Sequence, residues 1–294
     1  MAVKIAIQGD EGSNHDLITR KLWSGSKLEL ELLSAKSFPI LAEKLAKQEA
    51  DIGVMAIENT IAGDILGNYD LLSKYDLTII AEGYLRIEHC LIGLPESDLG
   101  QIRAAYSHEM ALKQCFDFLD TKNIEAREYF DTAAAVAHIK QLSDPSIAAI
   151  APSIAAEVYG GKVLQAGIET DKQNYTRFLV VVPKHKLGAN HLYPIAEVTS
   201  EHTDETKKVG LEFVVAHEPG SLLNVLGDFA QAKFNLTKIV SRPIIGKPWE
   251  YRFYVDFISN ASIDGIRTSL EQLAKDAVQY RVFGIYPIGK TFQP

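Results

Sequence analysis

NYTRFLVVV, from Asn174 to Val182, is an apolar strand that opens on polar groups. Thr176, Arg177 and Phe178 place a hydroxyl donor, a permanent cation and an apolar wall at a strand end, a set suited to a small carboxylate-bearing substrate. The same letters also fit a plain strand with a β-branched Thr, a solvated Arg and a core Phe. On a regular strand Thr176 and Phe178 share one face and Arg177 points the other way. Either the strand is irregular there, or Arg177 orients the pocket from behind.

Outward from that strand, one arrangement recurs. Val3 to Ile7 runs into Gly9, Gly12 and Ser13, then a helical pattern through Leu17 and Leu22, and Ile52 to Ile57 runs into Glu58, Asn59 and Thr60. Ile102 to Tyr106 leads into Ser107 and a helix carrying Ala111 and Cys115. Tyr129 and Phe130 lead into Asp131, Thr132 and the helix AAAVAHI, and Ala148 to Ala151 lead into Pro152, Ser153 and a helix stopping at Gly160 and Gly161. Apolar strands alternating with helices predict an α/β fold, a mainly parallel sheet with helices on both faces and ligands beyond the carboxyl ends of the strands. Helix N-termini gathered at such a crevice favour an anion even in an acidic chain.

The text then changes. Residues 184–207 are polar and lack apolar periodicity, which reads as a linker. Beyond it Val209 to Ala216, Leu236 to Val240, Tyr251 to Ile258 and Val278 to Tyr286 read as strands, with helices over Ser221 to Lys233 and Ile266 to Leu273. The order βαββαβ predicts a ferredoxin-like module, an antiparallel sheet with two helices on one face.

Length and charge set bounds on function. The 294 residues suffice for two domains, and a net charge of -8 gives no basic footprint for nucleic acid or an anionic membrane. The two cysteines, Cys90 and Cys115, have no paired spacing, and the N-terminus lacks the pattern of a signal segment, so a reduced, cytoplasmic protein is expected. No apolar run is long enough for a membrane span.

Several junctions hold groups capable of chemistry. GDEGSNH, Gly9 to His15, has a phosphate-loop flavour but lacks the lysine and the spacing, and a tight turn with a Ser or Asn cap fits equally well. His15, His89 and His108 have no helical ligand spacing, so no metal is expected and these rings read as structural or exposed. Ser107 and Gln114, seven apart, would share a helix face with Ser107 as the N-cap. Glu58 and Asn59 either orient a substrate and move protons or form an ordinary turn and cap.

The wording EGSNH, AIENTIAGDIL, the Ile87 to Ile92 run with His89, AYSHEMALKQC, FDTAAA, AAIAPSIAAEVYG and NYTRFLV resembles the catalytic domain of prephenate dehydratases. EPGSLLNVLGDF, NLTKIVSRP, EYRFYVDF and VFGIYP resemble the ACT regulatory domain joined to them. The resemblance covers nearly the whole chain. Two departures stand out: Asn14 replaces a more usual aromatic or small residue, and Val240 stands where an acidic residue usually precedes Ser241, Arg242 and Pro243.

The resemblance implies a catalytic domain over residues 1–183, two-lobed like a type II periplasmic binding protein, with lobe one at about 1–75 plus 165–183 and lobe two at about 76–164. The ACT domain would span 208–290. It implies decarboxylative dehydration of prephenate to phenylpyruvate without a cofactor. Thr176, Arg177 and Phe178 would form the catalytic triplet, and Glu58, Asn59, Ser107 and Gln114 would line the cleft. Phenylalanine would act as effector near Pro219, Gly220, Ser221 and Leu222 and near Ser241, Arg242 and Pro243, in a homodimer or homotetramer. Arogenate dehydration and a non-catalytic amino-acid sensor remain the alternatives.

Overall fold

The computed structural model describes residues 2–187, 206–244 and 246–294, so most of the expected linker lies outside the described residues. The chain forms two compact units, one of Met1–Ile65, Gly83–Phe178 and Thr291–Pro294, the other of Leu66–Glu82 and Leu179–Lys290. In chain order the elements run β1 (Val3–Gln8), α1 (Asn14–Leu22), β2 (Leu30–Ala35), α2 (Phe38–Ala46), β3 (Ile52–Asn59), β4 (Gly63–Asp64), α3 (Leu66–Lys74) and β5 (Leu77–Arg86). Then come β6 (Cys90–Gly93), β7 (Ala104–Ser107), α4 (Glu109–Gln114), α5 (Phe116–Lys122), β8 (Glu125–Glu128), α6 (Thr132–Leu142), β9 (Ile147–Ala151), α7 (Ser153–Tyr159), β10 (Lys162–Gln165) and β11 (Tyr175–Pro183). The C-terminal part holds β12 (Lys207–Val214), α8 (Ser221–Gln231), β13 (Asn235–Pro243), β14 (Tyr251–Ser259), α9 (Ile263–Asp276), β15 (Gln279–Pro287) and β16 (Lys290–Phe292).

One sheet has the order β16-β5-β11-β3-β1-β2 with β4 against β3. β3 and β11 are apolar almost throughout, as strands buried on both faces must be, and their polar residues are confined to the ends that carry Glu58, Asn59, Thr176 and Arg177. A second sheet has the order β10-β6-β9-β7-β8. Strand alternation sends Leu91, Ala148 and Ile150 into a core with Ala111 and Cys115 on one face, and Cys90, Ile92, Ala149 and Ala151 into a core with Val136 and Ala155 on the other. Helices on both faces follow directly from that double apolar alternation.

The expectation of mainly parallel sheets needs correction, because both are mixed. β1 pairs in parallel with β2 and β3, and β7 with β8 and β9, but β4 is antiparallel to β3 and β6 is antiparallel to both β9 and β10. β9 and β10, joined through α7, run the same way, and β6 lies between them running opposite to both. Tyr129 and Phe130 also lie beyond β8 rather than in a strand, and Phe130 is 72% exposed.

The C-terminal elements keep the βαββαβ order, in a sheet β13-β14-β12-β15 whose strand pairs are all antiparallel. Leu211, Phe213, Val255 and Phe257 pack on Val225 and Phe229 of α8 and Ile266 and Leu270 of α9. The helix-free face meets α3, where Tyr69 stacks on Tyr254 at 4.7 Å between ring centroids. Among the described residues no helix is long and apolar enough to cross a membrane.

Candidate active site

β3 and β11 are neighbours, and alternation decides which of their end residues meet. Asn59 Nδ2 donates to Thr176 Oγ1 at 2.9 Å, to Asn174 Oδ1 at 2.7 Å and to the Tyr175 carbonyl at 3.2 Å. One residue earlier, Glu58 Oε2 lies 4.0 Å from the Arg177 guanidinium. Successive residues of each strand therefore meet on opposite faces of the sheet, and the triplet does not converge on one point. Arg177 is buried, whereas the Glu58 side chain is 40% exposed. Phe178, buried, stands edge-on to the His15 ring at 5.0 Å and supports the site from the core.

Asn59 is locked in one orientation. Its Oδ1 accepts the backbone N–H groups of Ile61 and Ala62 at 3.0 and 2.8 Å, so its NH2 must face Thr176 and Asn174. The proton positions beyond it then follow in sequence. Asn174 accepts through Oδ1 and so donates through Nδ2, to Gln114 Oε1 at 3.1 Å. That oxygen also faces His89 Nε2 at 2.8 Å, which makes His89 the Nε2–H tautomer, with its Nδ1 buried and without a partner among the described residues. Burial lowers the pKa of His89, opposed by the Gln114 hydrogen bond and the nearby Glu169 charge, and so keeps the ring neutral. The His89 backbone N–H donates to Glu169 Oε2 at 2.9 Å, and Glu169 in turn pairs with Arg86 at 2.8 Å.

This chain of amides leaves two donors with no protein acceptor among the described residues: the Thr176 hydroxyl and the Gln114 NH2. Ser107 is placed differently from the expectation. It ends β7, wholly buried, and donates to the Ile150 carbonyl at 2.6 Å, while His108 caps α4 by accepting the Met110 N–H. Ser107 therefore ties β7 to β9 and does not share a helix face with Gln114.

The GDEGSNH turn is capped by Ser13, which accepts the Asp16 N–H. Gly9 and Gly12 have φ of +87° and +84°, and Cβ atoms there would lie 3.2 Å from Asp131 Oδ2 and 3.0 Å from Ala155 Cα. Glycine is thus required twice over, by backbone sign and by close approach to the starts of α6 and α7. Asp131 caps α6 by accepting the Ala134 N–H at 2.9 Å, and burial raises its pKa against that hydrogen bond.

Sequence reasoning missed Asn174 and His89. Asn174 opens the very strand singled out, but an Asn before a strand reads as a turn residue, and His89 shows its partners only once Gln114 is brought to it. In the C-terminal module, Gly220 has φ +88° and caps α8, and Ser221 and Leu222 line a cavity of about 170 Å³ beside Trp249. Arg242 and Pro243 line another of about 740 Å³, so the two candidate effector segments face different cavities within one chain.

The family model for prephenate dehydratase matches residues 5–186, well over half of the chain. The chain belongs to the prephenate dehydratase family. A second model, the ACT domain, matches residues 209–275. A bifunctional chorismate mutase/prephenate dehydratase of Enterobacter agglomerans is 31% identical over 97% of this chain and 71% of its own length. Arogenate dehydratase/prephenate dehydratase 2 of Arabidopsis thaliana is 30% identical over 98% and 74%. Among solved structures, GqqA, described as a novel type of quorum quenching acylase, superposes with a TM-score of 0.82 at 26% identity over 97% of this chain and 98% of its own. A prephenate dehydratase from Arthrobacter aurescens in complex with L-Phe has a TM-score of 0.81 at 24% identity over 97% and 90%, and shows the shared fold. The chain is accordingly a dehydratase-family lyase with two-lobed α/β architecture and a C-terminal ACT domain.

Proposed function

We propose that this chain converts prephenate to phenylpyruvate, with the substrate bound beside Asn59, Thr176 and Gln114. The observation that carries the reading is the Asn59 to Thr176 hydrogen bond, which occupies a lone pair of the hydroxyl and leaves its hydrogen for the departing oxygen. In the reaction the electron pair of the ring–carboxylate bond enters the ring as CO2 leaves. The carbon–oxygen bond breaks, and its pair departs with the hydroxide. Aromatisation drives the step, so the residues need only stabilise charge that grows on the leaving oxygen, which a preplaced donor does at the transition state. A proton must complete the water. Thr176 O–H is the group in hydrogen-bonding position, and solvent or a further acid restores it.

Gln114 NH2 is the second donor, and the neutral His89 and Asn174 hold it in place. Arg177, on the opposite face with Glu58, orients the strand from behind. Phe178 and Ser107 anchor the core around these groups. The catalytic module is assigned to residues 1–183 and the regulatory one to 208–290, in a cytoplasmic homodimer or homotetramer. Phenylalanine binds the ACT domain and inhibits. The segments at Pro219 to Leu222 and Ser241 to Pro243 face separate cavities in one chain, which favours a ligand site completed by a second chain.

Turnover of the purified protein on prephenate and arogenate side by side is the deciding test. A kcat/KM for prephenate well above that for arogenate is expected; the reverse preference, or no turnover of either, overturns the reading. Calorimetry with phenylalanine tests regulation, and a chain ending before Thr203 should turn over prephenate without responding to it.

A further inference from the structure

A cavity of about 740 Å³ opens between α3 and the helix-free face of the ACT sheet, wholly within the second unit. Lys74, Arg242, Arg252 and Arg281 line it against only two carboxylates, Asp70 and Glu212. In a chain whose net charge is -8, this is a locally positive hollow.

The sheet register sharpens the imbalance. Arg242 on β13 lies directly opposite Arg252 on β14, and like charges so placed destabilise a sheet. The nearby acids relieve the two arginines unequally. Asp70 meets Arg242 at 2.6 Å while accepting the Tyr254 hydroxyl at 2.9 Å. Glu212 accepts the Ser73 hydroxyl at 2.7 Å and reaches Arg252 only at 3.5 Å. Arg281 is satisfied elsewhere, by Asp76 at 2.7 Å and the Ser73 carbonyl at 2.9 Å. Lys74 holds its ammonium 4.9 Å over the Tyr75 ring and has no carboxylate within ion-pair distance among the described residues. Of the four cations only Lys74 has no carboxylate partner among the described residues, and Arg252 keeps the longest ion pair of the other three, at the wall of a cavity large enough for a metabolite. A fold that keeps two opposed guanidiniums there breaks a local rule, and such breaks gather at functional sites.

We infer that this cavity binds a small organic anion carrying at least two negative charges, held by Arg252 and Lys74 and bridging toward Arg242. The guanidinium fork of Arg252 suits a carboxylate, and an anion between Arg252 and Arg242 offsets their mutual repulsion. The site is separate from the Asn59–Thr176 chain, and the inference does not depend on the dehydratase reading.

Citrate is the probe, titrated into the full chain by calorimetry at constant ionic strength with chloride as the control. The parent should bind citrate, and Arg252→Gln should bind it about tenfold or more weakly, the size expected for one charged hydrogen bond. Lys74→Gln should weaken binding by a smaller factor, and both variants should keep the parent kcat and KM. The catalytic cleft also suits carboxylates, so the loss in Arg252→Gln is the readout rather than binding itself. Citrate heat no larger than that of chloride overturns the inference, as does unchanged citrate affinity in Arg252→Gln. If that variant fails to fold, unchanged affinity in Lys74→Gln overturns it instead.

Discussion

Asn59 Nδ2 lies 2.9 Å from Thr176 Oγ1 and donates to it, so the two side chains act as one group. Thr176→Ala should lower kcat about 10² to 10³-fold with little change in KM, the loss typical of a donor that acts at the transition state. Asn59→Ala should have a similar effect, because it frees the hydroxyl to rotate. The double variant should lose little more than either single one. Multiplicative losses in that cycle, measured by steady-state kinetics, would separate the two residues.

His89 should carry its proton on Nε2 down to a pH below the ordinary histidine range. Nitrogen-15 chemical shifts of the ring give the tautomer directly. His89→Gln, which retains a donor for Gln114, should keep more activity than His89→Ala. Equal activities, or a ring proton on Nδ1, would break the amide chain as drawn from Ile61 and Ala62 to Gln114.

Arg177→Lys keeps a positive charge but loses the planar fork. Because the guanidinium lies on the face away from Thr176, the loss should register mainly as lower stability rather than as a raised KM. Urea unfolding and kinetics on the same preparation decide this. A KM raised tenfold with unchanged stability would place Arg177 against the substrate instead.

His15 is buried, accepts the Ala56 N–H, and has its pKa lowered from 6.5 to about 3 by burial. The unfolded chain takes up this proton near pH 6.5, whereas the folded chain resists until about pH 3. Unfolding is then coupled to proton uptake between those values, so stability is complete above pH 6.5 and falls as pH drops through the window. The slope for such a group approaches about 1.4 kcal/mol per pH unit. His15→Gln keeps an acceptor for Ala56 and should flatten the decline, with His89 supplying part of what remains. An unchanged slope in denaturant midpoints from pH 6.5 to 4 would show that His15 titrates normally.

Much of this molecule is legible in its letters. Apolar strands ending in small polar residues yield the α/β class, and the second run of strands and helices yields βαββαβ, because both depend on periodicity that any window of sequence carries. Alternation along Thr176, Arg177 and Phe178 already separates Thr176 from Arg177, and the partners Asn59 and Glu58 bear that out. The order of motifs likewise leads to the right family.

Other features exist only in three dimensions. The antiparallel placement of β6 depends on which strands lie beside it, since a buried apolar run reads the same in either direction. The roles of Asn174 and His89 depend on Gln114, which is 60 and 25 residues away from them, and the proton positions follow from two backbone N–H groups beyond Asn59. Ser107 looks like a helix cap until its hydroxyl is seen to reach Ile150 on a neighbouring strand. The opposition of Arg242 and Arg252 is likewise a matter of register. Local preference acts over a few residues, whereas a hydrogen bond requires its partner within about 3 Å, and only the folded chain brings such distant partners that close.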